Sequence, residues 1–155
     1  MYVNSQFSRV FLLLILAGCS SDSDNPLEES INFTILQRGS NSLLEMPTKR
    51  LMAIREQAEL DQVWPTISSL PTPVIGASTI VIAELGTLVF SSPMAGIELE
   101  SIVENSDHTE VFITTFMPGS NCSTDDGFST PFDAVQFERT REPILFRESL
   151  VIVDC

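Results

Sequence analysis

The sequence predicts a mostly β domain, a sandwich or barrel-like set of antiparallel sheets with one short helix, and α+β is the alternative class. Three observations carry this reading. About seven segments rich in Val, Ile, Phe and Thr follow residue 30 at short intervals, separated by turn residues. Residues 79–85 (Thr-Ile-Val-Ile-Ala-Glu-Leu) are almost continuously apolar, the pattern of a strand buried on both faces at the centre of a sheet. Only residues 57–64 put apolar side chains near helical spacing.

The first segment is not part of that domain. Residues 1–9 carry one charged side chain, Arg9, and residues 10–17 read Val-Phe-Leu-Leu-Leu-Ile-Leu-Ala. That run is too short to cross a bilayer as a helix, which takes about 20 apolar residues. A short apolar run behind a basic residue is the core of a secretion signal. It ends in Leu16-Ala17-Gly18-Cys19, which resembles the lipobox of bacterial lipoproteins. The resemblance implies a signal peptide over residues 1–18 and acylation of Cys19, palmitate among the acyl groups. Two or more chains anchor stably where one does not. Ser20 in the next position resembles the signal for passage to the outer membrane. The expected address is the cell envelope, lipid-anchored at the outer membrane and facing the periplasm or the surface. Residues 19–30 are polar and acidic, so they are expected to form a lipidated flexible tether. Residues 31–155 are then the single β-rich domain.

Within it, residues 31–36 (Ile-Asn-Phe-Thr-Ile-Leu) predict a first strand, residues 38–42 a loop and residues 50–55 a second strand. In residues 57–64, Ala58, Leu60, Val63 and Trp64 form the apolar stripe of a short helix that Pro65 is expected to stop. Trp64 reads as a core or lid residue. After the strand at 79–85, Gly86 ends the run. Residues 96–104 alternate, with Ile97, Leu99 and Val103 on one face and Glu98, Glu100 and Glu104 on the other, a solvated row of carboxylates. Residues 105–108 (Asn-Ser-Asp-His) are a turn, and residues 109–117 complete a hairpin. A long loop follows to Pro131, then strands at 132–139, 144–146 and 150–153.

The chain has 155 residues and a net charge of −13. Arg9 is the only charged side chain before Cys19, so the mature chain keeps seven basic against 21 acidic residues. Such a surface repels phosphate backbones, which argues against nucleic acid as a partner. No catalytic constellation is legible. His108 is the only histidine and reads as exposed at its turn. Asn121, Ser123, Asp125 and Asp126 have the composition of a calcium loop, but the glycine falls one place late and no Glu closes it. No metal and no cofactor is expected. With Cys19 assigned to lipid, Cys122 and Cys155 remain as a pair. In an oxidising compartment a disulfide is the expected state, with two free thiols or intermolecular pairing as alternatives.

Around the long loop the sequence resembles the PrcB family, lipoproteins named for a subunit of a surface protease complex. The carrying residues are Met117-Pro118-Gly119, Cys122, and residues 129–135 (Ser-Thr-Pro-Phe-Asp-Ala-Val), with the helix ending in Trp64, the strand over 80–86 and the Gly96-Ile97 strand start in the same order. The resemblance spans residues 56–146 and rests on structural residues. It implies a β-rich domain that accompanies or stabilises a secreted protease or another envelope protein. Where the family carries a Thr-Gly-Gly-aromatic type of turn, this chain has Ser92, Pro93, Met94, Ala95 and Gly96. That segment is the candidate partner-contact loop. The resulting expectation is a membrane-anchored, non-catalytic binding domain. An immunoglobulin-like protease inhibitor and a structural envelope protein are the alternatives.

Overall fold

The computed structural model describes residues 28–43 and 48–155. The expected signal peptide, Cys19 and most of the expected tether lie outside the described residues. In chain order the elements are β1 (Glu29–Ser30), β2 (Phe33–Gly39), β3 (Arg50–Ile54), α1 (Gln57–Ile67), β4 (Ser78–Glu84), β5 (Leu88–Ser91), β6 (Gly96–Glu104), β7 (Thr109–Pro118), β8 (Asp125–Ser129), β9 (Phe132–Glu138) and β10 (Ile144–Val153). The class is mostly β with one helix, and none of the sheets closes into a barrel.

Two four-stranded sheets, ordered β1-β6-β7-β10 and β2-β9-β4-β3, are joined by a two-stranded ribbon, β5-β8. The second sheet is the middle of three layers, and strand alternation explains why. In β4 the even residues Ile80 and Ile82 pack with Leu60, Trp64 and Ile67 of α1. The odd residues Val81 and Ala83 pack with Ile97, Ile102, Val111 and Ile113 of the other sheet. β9 divides in the same way, Phe132 and Ala134 toward the helix, Val135 and Phe137 toward the other sheet. Strands covered on both faces are apolar at most positions, which is the run read at 79–85. At its end Gly86 has φ +88°, and a Cβ there would lie 2.9 Å from the Thr48 carbonyl carbon. Only glycine meets both conditions.

Several expectations need correction. Pro65 does not stop the helix, which runs to Ile67. Pro65 is exposed, so the carbonyl that loses its helical partner can be hydrated. Trp64 and Ile67 bury one turn apart, and the Ser68 N–H closes the end on the Trp64 carbonyl at 3.0 Å. Ala58, placed in the stripe, is exposed. The sheets are not wholly antiparallel: β10 pairs with β7 in parallel over its full length. Nor is β10 two strands. The polar residues in its middle stay extended because each has a partner, Arg147 with Glu110, Glu148 with Lys49 and Ser149 with Thr114.

The glutamate row in β6 also fails. A bulge between Leu99 and Ser101 inverts the alternation, so Ile102 is buried and not Val103. Glu98, before the bulge, meets Arg38, Glu104 meets Arg141, and Glu100 is exposed. The β6–β7 hairpin itself is formed as read. The long loop contains β8, and its partner β5 lies in a stretch the sequence left unassigned. Residues 29–30, counted with the tether, pair with β6.

Candidate functional site

The loop between β5 and β6 is shaped by its first residue. Ser92 is buried, its Oγ accepts the Met94 N–H at 3.2 Å and its carbonyl accepts the Ala95 N–H at 3.1 Å. This side-chain-supported turn turns Pro93 and Met94 outward. Pro93, Met94, Ala95 and Gly96 then line a cavity of about 320 Å³. Its other walls are Arg38, Gly39 and Ser40 at the end of β2, Ile97 and Glu98 of β6, Phe116 of β7 and Val153 of β10. Four of the five contact-loop residues therefore share one cavity, and the fifth sets their conformation.

Gly96 keeps the cavity open. It pairs with Phe116 in the hairpin register, and a Cβ added to it would meet nothing within 4 Å. The volume lies at the low end of the range for small-molecule sites, about 300–1,000 Å³. With Pro, Met, Ala, Phe and Val in its walls it suits an amino-acid side chain.

One wall is charged and tied into the core. Arg38 Nη2 donates to Asp133 Oδ2 at 2.7 Å, and Nη1 lies 3.3 Å from Glu98. The side chain of Asp133 is completely buried. The same Oδ2 accepts the Leu99 N–H at 2.8 Å, an amide at the edge of the β6 bulge. Asp133 thus ties the middle sheet to the outer one and fixes the strand that walls the cavity. Its hydrogen bond is the main cause holding the Arg38 guanidinium above its ordinary pKa, with burial opposing. A second buried acid, Glu84 of β4, accepts Arg50 Nε at 2.7 Å from the neighbouring strand, on the helix side of the same sheet.

The remaining predicted residues fall elsewhere. Cys122 and Cys155 are joined by a disulfide, with Cα atoms 5.1 Å apart. It fastens the loop after β7 to the residues after β10, next to the cavity wall at Val153. Cys19 lies outside the described residues. Asp125 and Asp126 are in β8, and among the described residues no group of three or more His, Cys, Asp or Glu is placed to hold a metal ion.

His108 is less exposed than its turn suggested, at 23% of its side chain. Its Nδ1 lies 2.6 Å from Asp107 and its Nε2 3.2 Å from Asn105 and 3.5 Å from Glu110. The Asp107 hydrogen bond chiefly raises the imidazole pKa, against a smaller opposing effect of burial.

Sequence reasoning missed Arg38, Asp133, Phe116 and Val153 as parts of one place. Asp133 alone left a trace, an acid flanked by Phe132 and Ala134 in an apolar strand. No protein family matches the chain, and no curated protein or solved structure matches it.

Proposed function

We propose that this chain is a lipid-anchored envelope protein whose β domain binds a partner protein, without catalysing a reaction, through the loop Pro93–Gly96 and the cavity behind it. One observation carries the reading. The segment where the chain departs from the PrcB-like pattern is also the segment that walls a mostly apolar cavity sized for one side chain. A secreted protease, accompanied or stabilised by this subunit, is the partner the resemblance favours. The signal, lipobox and polar tether suit this role by holding the domain off the outer membrane.

The test uses the full chain in its native envelope. A photo-crosslinking residue at Met94 should yield a specific adduct, and the same residue at Glu59 on the exposed face of α1 should not. Gly96→Phe, whose Cβ would meet nothing within 4 Å, should remove the adduct while leaving urea stability unchanged. An adduct equally strong at both positions, or one untouched by Gly96→Phe, refutes the reading. Cys19→Ser should separately abolish incorporation of labelled palmitate and membrane retention.

A further inference from the structure

Among the described residues, β10 forms an edge that is open along its length. Its neighbour in the sheet is β7, and among the described residues no strand pairs with its other side. The outward-facing backbone groups can be identified. The Thr109 N–H donates to the Pro143 carbonyl at 3.0 Å, and the Gly119 N–H donates to the Val153 carbonyl at 2.9 Å. Both acceptors are odd-numbered, and the parallel register between them has no shift. In an extended strand the N–H and C=O of one residue point the same way and alternate along the chain. The odd residues of β10 therefore bond to β7. The N–H and C=O of Phe146, Glu148, Leu150 and Ile152 face away from it.

Edges of this kind are normally blunted by shortness, bulges, charge or proline. The other edges of the two main sheets have such devices: β1 has two residues, β2 carries a bulge and β3 has five residues. β10 has ten residues, no bulge and no proline. Its charged residues, Arg147 and Glu148, are half exposed and paired with Glu110 and Lys49, and none lies beyond Glu148 in the strand. Beyond them Leu150, Val151 and Ile152 are all exposed, Leu150 at 63%. The disulfide to Cys122 fixes the end of this stretch, so little order remains to be imposed on binding.

Charge selects the occupant. The chain has 21 acidic against eight basic residues, and six of the basic ones are already paired with its own acids. Asp154, directly after β10, makes no ion pair among the described residues. A second copy would bring the same acidic excess to the edge. We infer that β10 receives an extended segment of a partner protein as an added strand, with apolar side chains opposite Leu150 and Ile152 and a lysine or arginine near Asp154. The inference goes beyond the cavity reading and does not depend on it.

The test uses the full chain in detergent and a labelled peptide of alternating valine and threonine flanked by lysines, with a glutamate-flanked version beside it. The lysine peptide should slow hydrogen exchange at the amides of Phe146, Glu148, Leu150 and Ile152, and bind at least about tenfold tighter than the glutamate peptide. Ile152→Pro removes only an outward N–H and is compatible with an edge strand; it should abolish both effects. Leu150→Lys, which leaves the backbone intact, should weaken the lysine peptide by a similar factor. Gly96→Phe should change neither, which separates this edge from the cavity. Protection elsewhere than β10, equal binding of the two peptides, or a dimer of the chain alone that Ile152→Pro dissociates would each overturn the inference.

Discussion

Removing Arg38 should destabilise this protein more than removing Asp133, although the two residues share one hydrogen bond. The asymmetry comes from burial. The Asp133 side chain is inaccessible, whereas 35% of the Arg38 side chain reaches solvent. In Arg38→Ala a buried carboxylate is left with the Leu99 N–H as its remaining donor. Stranding a buried charge in this way costs about 3–5 kcal/mol. In Asp133→Ala the guanidinium can still face Glu98 and water, and a partly exposed pair is worth at most about 1 kcal/mol. The main loss is then the Leu99 N–H without an acceptor, about 1–3 kcal/mol. Asp133→Asn keeps an oxygen for that N–H and should fall closest to the parent. The single tryptophan, Trp64, is buried in the core and reports global unfolding by its fluorescence. For a urea dependence of about 2 kcal/mol per molar, the midpoint should fall by about 2 M for Arg38→Ala and about 1 M for Asp133→Ala. A larger loss in Asp133→Ala than in Arg38→Ala would refute the reasoning, because it would mean that Asp133 is not a desolvated charge held by its arginine.

Two further outcomes follow from the same structure. Reducing the Cys122–Cys155 bond, which spans a sequence separation of 33, should lower stability by at most about 3–4 kcal/mol and expose the end of β10 to hydrogen exchange; an unchanged urea midpoint would count against it. His108 has a raised folded-state pKa, so its stabilisation is complete below the unfolded value of about 6.5 and is lost as pH rises through the higher folded value. The difference in thermal midpoint between the parent and His108→Gln should therefore be widest near pH 5.5 and narrow by pH 8.5, and a difference flat across that window would be the wrong result.

Sequence patterning located most elements because most strands here bury one or both faces. The run at 79–85 was legible because a strand in the middle layer is mostly apolar on both faces, and its buried acid Glu84 sits at the end, where it meets Arg50. What escaped the pattern shares a physical reason: tertiary contacts overrode the local signal. One extra residue in β6 reversed the faces after Leu99, and period two cannot foresee a bulge. Pro65 was tolerated because burial of Trp64 and Ile67 outweighed a missing hydrogen bond. β8 (Asp-Asp-Gly-Phe-Ser) has the composition of a turn and is a strand because β5 pairs with it. Of the residues lining the cavity, the sequence singled out only Pro93, Met94, Ala95 and Gly96, and it did so as part of a loop rather than of a cavity. Arg38, Phe116 and Val153 come from three strands distant in sequence, and composition holds no sign of their meeting.

The same override explains how the proposed binding surface can be exposed and still well defined. Contact residues on a loop need a scaffold that fixes them, and here each flank of the cavity has its own fastening. Ser92 bends the loop, Asp133 holds Leu99 and Arg38 together, and the disulfide secures the chain beside Val153. Gly96 is the one position where the hairpin withholds a side chain, and it lines the cavity. Val153 belongs to both surfaces, walling the cavity and ending the strand whose other side is open. Its own N–H and C=O are committed to β7, so pairing along the β10 edge leaves the cavity wall in place. A partner strand can therefore be gained or lost at the edge without remodelling the loop, and Gly96→Phe and Ile152→Pro should act independently.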